Sequence, residues 1–229
     1  MNLNDIVEKY PDVLPYIQNM PSNISYVIKT YAPGQIIHQK HFKLDYFGIV
    51  CAGEHRVINE FENGNIFMIE KNEPVDFIGE VTILAGMAET SVTIESITEC
   101  VVIIISRNDF ENWIQQDINF LRLVSQKVAY KLYRSSFNRG AKLFYPPTFL
   151  LLDYLLKHAK SEKISIHKNM HLNKTREQLH EELGITVKTI NRTIKKLVED
   201  QLISLKKGKI QMDYAQYKRA KNTITHYIK

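Results

Sequence analysis

The chain has 229 residues, 44% of them hydrophobic and 24% charged, with two cysteines. This composition excludes a disordered chain, a disulfide framework and a four-thiolate metal site. The formal charge of +5 is unevenly placed: residues 1–140 carry 12 basic and 17 acidic side chains, residues 141–229 carry 18 and 8. A front part at −5 followed by a part at +10 implies that the second part meets a polyanion.

The first 25 or so residues read as short helices broken by proline, Asp5 to Tyr10 running into Pro11 and Val13 to Asn19 into Pro21. Met1–Glu8 has neither the basic nor the apolar region of a secretory signal, and the run Cys100–Ile105 falls far short of the ~20 residues that span a bilayer. No membrane association and a cytoplasmic location are therefore expected. From Tyr31 to Ser106, short apolar or alternating runs are punctuated by Pro33-Gly34, Ala52-Gly53, Asn63-Gly64, Glu73-Pro74 and Ala85-Gly86. Asn63-Gly64 predicts a hairpin, because both residues tolerate positive φ. Many short strands at this spacing predict a sandwich or barrel over residues 1–107.

At Asn108 the period turns helical. Phe110, Trp113, Ile114, Ile118, Leu121, Val124, Val128 and Leu132 recur at spacings of three and four, with no proline or glycine before Gly140. One helix over 108–140 is predicted, with an apolar seam suited to pairing with a second copy or, in the alternative, to packing only on its own barrel. Pro146-Pro147 opens the next helix, Thr148 to His158, whose apolar residues predict burial. Lys160 to Met170 reads as a loop with a short strand at Ile164-Ser165-Ile166.

Residues 175–204 carry the most information. Thr175 and Gln178 form a capping-box pattern, Leu179 and Leu183 share a face, and Gly184 ends the helix. Thr186 caps a second helix with Ile190, Ile194, Leu197 and Val198 inward. Two helices joined by a glycine turn make a helix-turn-helix. The opposite face of the second helix holds Lys188, Asn191, Arg192 and Lys195 in one polar stripe. Leu202–Leu205, the turn Lys206-Lys207-Gly208-Lys209 and Ile210–Met212 read as a hairpin, a basic wing after a reading helix. Base contacts are assigned to Lys188, Asn191 and Arg192. Phosphate contacts are assigned to Thr175, Thr186, Thr189 and Lys195 and to the wing lysines Lys206, Lys207 and Lys209. Double-stranded DNA is thus the expected partner of residues 141–229. A merely solvated polar face on a structural helix pair would leave the +10 charge without a partner, and the competing functional reading is a small-molecule-binding module whose winged helix serves protein contacts.

Barrel, long helix and winged helix-turn-helix in this order resemble the Crp/Fnr (cyclic-AMP receptor/fumarate-nitrate regulator) family of bacterial transcription factors. Tyr31-Ala32-Pro33-Gly34-Gln35-Ile36-Ile37 looks like its opening barrel strand, and Asp76-Phe77-Ile78-Gly79-Glu80-Val81 like the start of its effector cassette. The resemblance implies an α+β fold with an N-terminal double-stranded β-helix (jelly-roll) sensor barrel. It also implies a homodimer joined by the long helices, two reading helices in successive major grooves of a near-palindromic site, and RNA polymerase as a partner. The effector pocket it implies is Gly79, Glu80, Thr90, Ser91, Ser135 and Ser136. Cyclic-AMP binders place Arg where this chain has Thr90, ten residues after Glu80, so the pocket lacks the cation for a cyclic phosphate. Cyclic AMP is therefore not the expected effector. Ser135-Ser136 matches the pair that meets the adenine. Residues 1–50 hold no cysteine, which argues against the family's iron–sulfur cluster. Cys51 and Cys100 read as buried thiols, and His38 and His41 lack a third metal ligand. No catalytic group, metal site or cofactor is identifiable, and a cupin-like enzyme would need His and Glu spacing that His38, His41 and His55 do not show. Val187 and Lys188 stand where cyclic-AMP receptors use Arg and Glu, while Arg192 matches their second base-reading Arg. A half-site different from theirs is expected.

Overall fold

The computed structural model describes residues 2–227, the side chains of 137–143 left aside. The chain forms two compact units, residues 1–136 and 137–229. The first begins with α1 (Leu3–Lys9), capped reciprocally by Asn2 and Asp5, a single 3-10 turn at Pro11–Val13, and α2 (Leu14–Ile17). Proline ends α1 because it has no N–H for a further turn. Ile6, Val13 and Ile17 bury these pieces against the barrel core.

Eight strands follow: β1 (Tyr26–Tyr31), β2 (Ile36–His38), β3 (Tyr46–Ala52), β4 (His55–Glu60), β5 (Ile66–Asn72), β6 (Asp76–Ile78), β7 (Thr93–Ser96) and β8 (Cys100–Ser106). They form two four-stranded antiparallel sheets, ordered β1-β8-β3-β6 and β2-β7-β4-β5. This is the jelly-roll arrangement, and both inner faces fill the space between the sheets. The β4–β5 hairpin turns at Asn63-Gly64, with Gly64 at φ +78° and Asn63 Oδ1 accepting the Asn65 N–H at 3.1 Å. A short α3 (Glu80–Leu84) lies between β6 and β7. It starts at Gly79, whose φ of +94° suits glycine, and a Cβ there would come within 2.8 Å of Leu44 Cδ2.

The helical period from Asn108 does not give one helix. α4 (Arg107–Gln116) ends at Asp117, which is extended (φ −117°, ψ 95°), and α5 (Ile118–Phe144) begins after it. The cause is a capping side chain inside the apolar pattern. Asp117 Oδ1 accepts the N–H groups of Asn119 at 2.9 Å and Phe120 at 3.1 Å, satisfying donors that a continuous helix would have used internally. The break lets Trp113 and Phe120 stack with centroids 3.6 Å apart, while Phe110 stacks on Phe47 of β3 at 4.0 Å. Phe77 of β6 completes this buried aromatic cluster. The end of α4 and the start of α5 are thereby fixed to the barrel.

The second unit opens with α6 (Pro147–Ser161), its first turn set by proline and its face of Leu151, Leu152, Leu155 and Ala159 fully buried. The strand expected at Ile164-Ser165-Ile166 is only a bridge between Ser165 and Lys168. The strand lies later, at β9 (Met170–Leu172), where Met170 and Leu172 are buried and His171 points out. Three residues give too few alternations for this period to show in sequence. Next come α7 (Arg176–Leu183), α8 (Val187–Glu199), β10 (Ser204–Lys206) and β11 (Lys209–Met212), with β11 central in the sheet β10-β11-β9. The last helix, α9 (Tyr214–Ile224), buries Ala220 in the same core, and the Arg219 guanidinium donates to the Gln201 carbonyl at 2.9 Å. Replacing Asp117 with Ala is expected to lower stability by about 1 kcal/mol, read as a reduced urea midpoint at unchanged m-value.

Candidate nucleic-acid interface and effector region

In the barrel, the side chain that organises the expected effector region is Lys131 of α5. Its Nζ lies 2.7 Å from Glu80 Oε1 and 2.9 Å from Asp76 Oδ2. Both carboxylates are almost fully buried, at 3% and 4% side-chain exposure, and Lys131 is at 17%. His55 Nε2 is 3.3 Å from the same Asp76 oxygen and 3.4 Å from the Asn72 amide. Burial pushes the Asp76 carboxyl up, but hydrogen bonding to His55 and the Lys131 charge outweigh it and hold the carboxyl below the usual range. Burial pushes Glu80 up, and Lys131 offsets this only in part. Burial lowers the Lys131 ammonium, yet the two carboxylates more than compensate and raise it above its ordinary value.

Two further cations on the same helix reach the barrel. Lys127 Nζ donates to the Val75 carbonyl at 2.5 Å, and Arg134 pairs with Glu70 at 3.3 Å. Residues 127, 131 and 134 lie at i, i+4 and i+7, one stripe of the helix. They border a cleft of about 290 Å³ with Lys71, Asn72, Glu73, Asp76 and Tyr130.

The six residues expected to form the effector pocket are not joined to one another by hydrogen bonds. Gly79 is the buried start of α3, and Glu80 is engaged by Lys131. Thr90 is buried and donates to the Gln39 carbonyl at 3.3 Å. Ser91 and Ser136 are exposed and Ser135 half-buried. Lys131, Asp76 and His55 escaped the sequence reading. The cation stripe at 127, 131 and 134 was the available signal. Cys51 and Cys100 are buried free thiols; burial pushes the first up to about 12 and the second to about 11, so both stay protonated near neutrality. Among the described residues no group of three His, Cys, Asp or Glu could hold a metal, and no helix is long and apolar enough to cross a membrane.

In the C-terminal unit, α7 and α8 meet at Gly184, which adopts φ +70° and ends α7. Thr175 Oγ1 accepts the Gln178 N–H at 3.1 Å while Gln178 Oε1 accepts the Thr175 N–H at 2.8 Å. Thr186 caps α8, accepting the Thr189 N–H at 3.3 Å, and the two threonine hydroxyls are 3.0 Å apart. Ile190, Ile194 and Leu197 are buried, and this leaves Lys188, Asn191, Arg192 and Lys195 exposed on the opposite face. Lys195 lies 3.9 Å from Glu199, a loose exposed pair. The wing is a tight hairpin in which Lys207 (φ 49°) and Gly208 (φ 76°) make the turn, and Lys206, Lys207 and Lys209 are exposed. Every residue assigned to DNA thus lies at a helix start, on the outer face of α8 or on the wing.

Replacing Lys131 with Met removes the ammonium from two buried carboxylates, leaving Glu80 without its cation and Asp76 with His55 alone. A loss of about 3–5 kcal/mol at pH 7 is expected, read by denaturant unfolding. In that variant Glu80 loses the cation that offsets its burial and is more basic folded than unfolded, so part of the lost stability returns as pH falls below neutral, while Asp76 keeps its hydrogen bond to His55. The wild type runs the other way. Its Lys131 contribution is complete below 10.5 and fades as pH rises through the higher folded value, and its Asp76 contribution fades as pH falls below 3.8. A variant deficit that does not shrink on acidification would contradict the ion-pair geometry.

Residues 28–117 match the model of the cyclic nucleotide-binding domain, and residues 151–215 match the Crp-like helix-turn-helix domain. The cAMP-activated global transcriptional regulator CRP of Salmonella typhimurium is 28% identical over 170 residues, 74% of this chain and 80% of that protein; the CRP of Klebsiella aerogenes gives the same figures. Among solved structures, the c-di-GMP responsive global regulator CLP of Xanthomonas campestris superposes with TM-score 0.74 at 16% identity, covering 82% of this chain and 94% of that one. A transcriptional regulator of the Crp/Fnr family from Eubacterium rectale superposes with TM-score 0.71 at 16% identity, covering 96% and 97%. With a cyclic-nucleotide-type barrel and a Crp-like helix-turn-helix in the same order on one chain, the protein belongs to the Crp/Fnr family of transcription regulators.

Proposed function

We propose that this protein is a sequence-specific DNA-binding transcription regulator that acts as a homodimer on a near-palindromic site and does not answer to cyclic AMP. The observation that carries the reading is the surface of the C-terminal unit. An exposed stripe of Lys188, Asn191, Arg192 and Lys195 sits on a helix whose other face is core, and three exposed lysines follow on a tight wing. A guanidinium and an amide on such a helix match base edges in the major groove, and ammonium groups neutralise phosphates. The hydroxyls of Thr175, Thr186 and Thr189 stand at the starts of α7 and α8, where helix N-termini favour phosphate.

The dimer reading rests on α5, where Ile118, Leu132 and Tyr133 are exposed at 72%, 63% and 77%. Exposed apolar side chains at both ends of the described part of this helix fit a second copy of it. The reading on cyclic AMP rests on Thr90 and Lys131. Thr90 offers no cation for a cyclic phosphate, and Glu80, the family's sugar ligand, is already held by Lys131. A small-molecule effector other than cyclic AMP is the reading for the barrel, whose match to a ligand-binding domain supports it. RNA polymerase is the protein partner that follows from the family, and the cytoplasm is where such a regulator meets its DNA.

Selection from a random duplex pool is expected to return a palindromic site distinct from the cyclic-AMP receptor half-site. On that site Arg192→Ala should cost about 1–3 kcal/mol and relax one position. Each wing lysine changed to Ala should weaken all sequences alike and reduce the salt slope by about 0.9. Fluorescence anisotropy measures both, and cyclic AMP should leave the affinity unchanged. If the protein shows no salt-dependent retention on duplex DNA, the winged helix serves protein contacts instead. Leu132→Asp should shift sedimentation from dimer to monomer.

A further inference from the structure

Arg176 is the first residue of α7, directly after the cap Thr175. A cation is poorly placed there, because the helix dipole puts partial positive charge at that end. The side chain leaves its own helix and crosses to the wing, where its Nη2 donates to the Gly208 carbonyl at 3.0 Å. It is partly buried, and burial lowers its pKa from the ordinary value. Gly208 is at the tip of the wing, between Lys207 and Lys209. This brings a fourth positive charge beside three lysines, an arrangement that repels in the free protein.

Little else holds the tip. β10 and β11 pair over only three positions, Ser204 with Gln211, Leu205 with Ile210 and Lys206 with Lys209. β10 is an edge strand, and Leu205 on it is 47% exposed. The apolar anchors of the hairpin, Ile210 and Met212, lie on β11. Among the described residues, the hydrogen bond from Arg176 links the turn itself to the start of the helix-turn-helix.

We propose that Arg176 is a positioning residue that fixes the wing tip to the start of α7, so that the wing lysines and the α8 stripe engage one duplex together. The proposal rests on the DNA-binding reading, and Arg176 acts through the wing rather than by touching DNA. A residue with this role has a recognisable energetic signature. Its removal frees several phosphate contacts at once, and it has nothing to do once those contacts are gone.

The test is a double-mutant cycle on the full chain, with fluorescence anisotropy on the selected duplex over a range of salt concentrations. Arg176→Ala is expected to weaken binding roughly tenfold and to reduce the salt slope by clearly more than the ~0.9 of one lost phosphate contact. In a background with Lys206, Lys207 and Lys209 all changed to Ala, the same substitution is expected to change affinity by less than about twofold. An equal loss in both backgrounds, or a slope change of one contact, would mean that Arg176 meets phosphate directly and would overturn the proposal. A second readout needs no DNA. Backbone amide exchange over residues 204–212 of the free protein is expected to quicken in Arg176→Ala while exchange in α6 stays the same. Unchanged exchange over 204–212 would also overturn it. A wild-type chain that binds no duplex would instead remove the DNA reading, and the exchange measurement would still decide whether Arg176 holds the wing.

Discussion

The first unit depends on one ammonium group between two buried carboxylates. Lys131 belongs to α5, while Asp76 and Glu80 flank the short segment where β6 passes into α3. Buried charges of one sign are tolerated only when the other sign is close. The helix therefore cannot slide or turn far from the barrel without leaving Asp76 and Glu80 uncompensated. Lys127 and Arg134 repeat the attachment one turn to either side, and the Trp113–Phe120 stack fixes the beginning of the same helix. The result is a helix held at its start by dispersion and further along by charge. These two kinds of contact respond differently to their surroundings. The aromatic cluster is indifferent to pH and to small polar ligands, whereas the charged stripe borders an open cleft.

The second unit solves a different problem. It must present a long polar face on α8 while keeping the helix in place, and it does so by burying Ile190, Thr193, Ile194 and Leu197 against α6 and α7. Both helices of the pair are capped by threonine, which accepts one N–H at each start, that of Gln178 or of Thr189, without a bulky side chain. That leaves the starts of α7 and α8 open to a ligand that can accept hydrogen bonds. The Arg219 contact to Gln201 ties the end of the reading-helix region to α9, so the pair is held on the side away from its polar stripe.

Much of this was legible in the sequence because it is written in local signals. The capping pattern of Thr175 and Gln178, the glycine at 184 and the period of Ile190, Ile194 and Leu197 are each set by neighbours within one or two helical turns. The Asn63-Gly64 hairpin is of the same kind. What the sequence concealed depends on partners far along the chain. Asp117 reads as one more polar residue on an amphipathic helix until its carboxylate is seen on the N–H groups of Asn119 and Phe120. Lys131 reads as a solvated lysine, since nothing local shows that residues 76 and 80 will be brought to it. β9 was missed because three residues cannot display a period. The order of the parts carried the resemblance to the Crp/Fnr family, but the family pattern was silent about Lys131, which pairs with the pattern's own Glu80.

The turn of the wing has a consequence for how this protein can evolve. A two-residue hairpin of this geometry is most comfortable with Asn-Gly, yet its first position is Lys207, held at φ 49°. A side chain with a long aliphatic stem loses about 1 kcal/mol in that left-handed conformation. Mutation toward asparagine would therefore be rewarded in any screen for thermal resistance. It would also delete a charge at the tip. Stability and the phosphate contact proposed for Lys207 pull in opposite directions at this single residue, so selection for heat tolerance alone should remove that charge first.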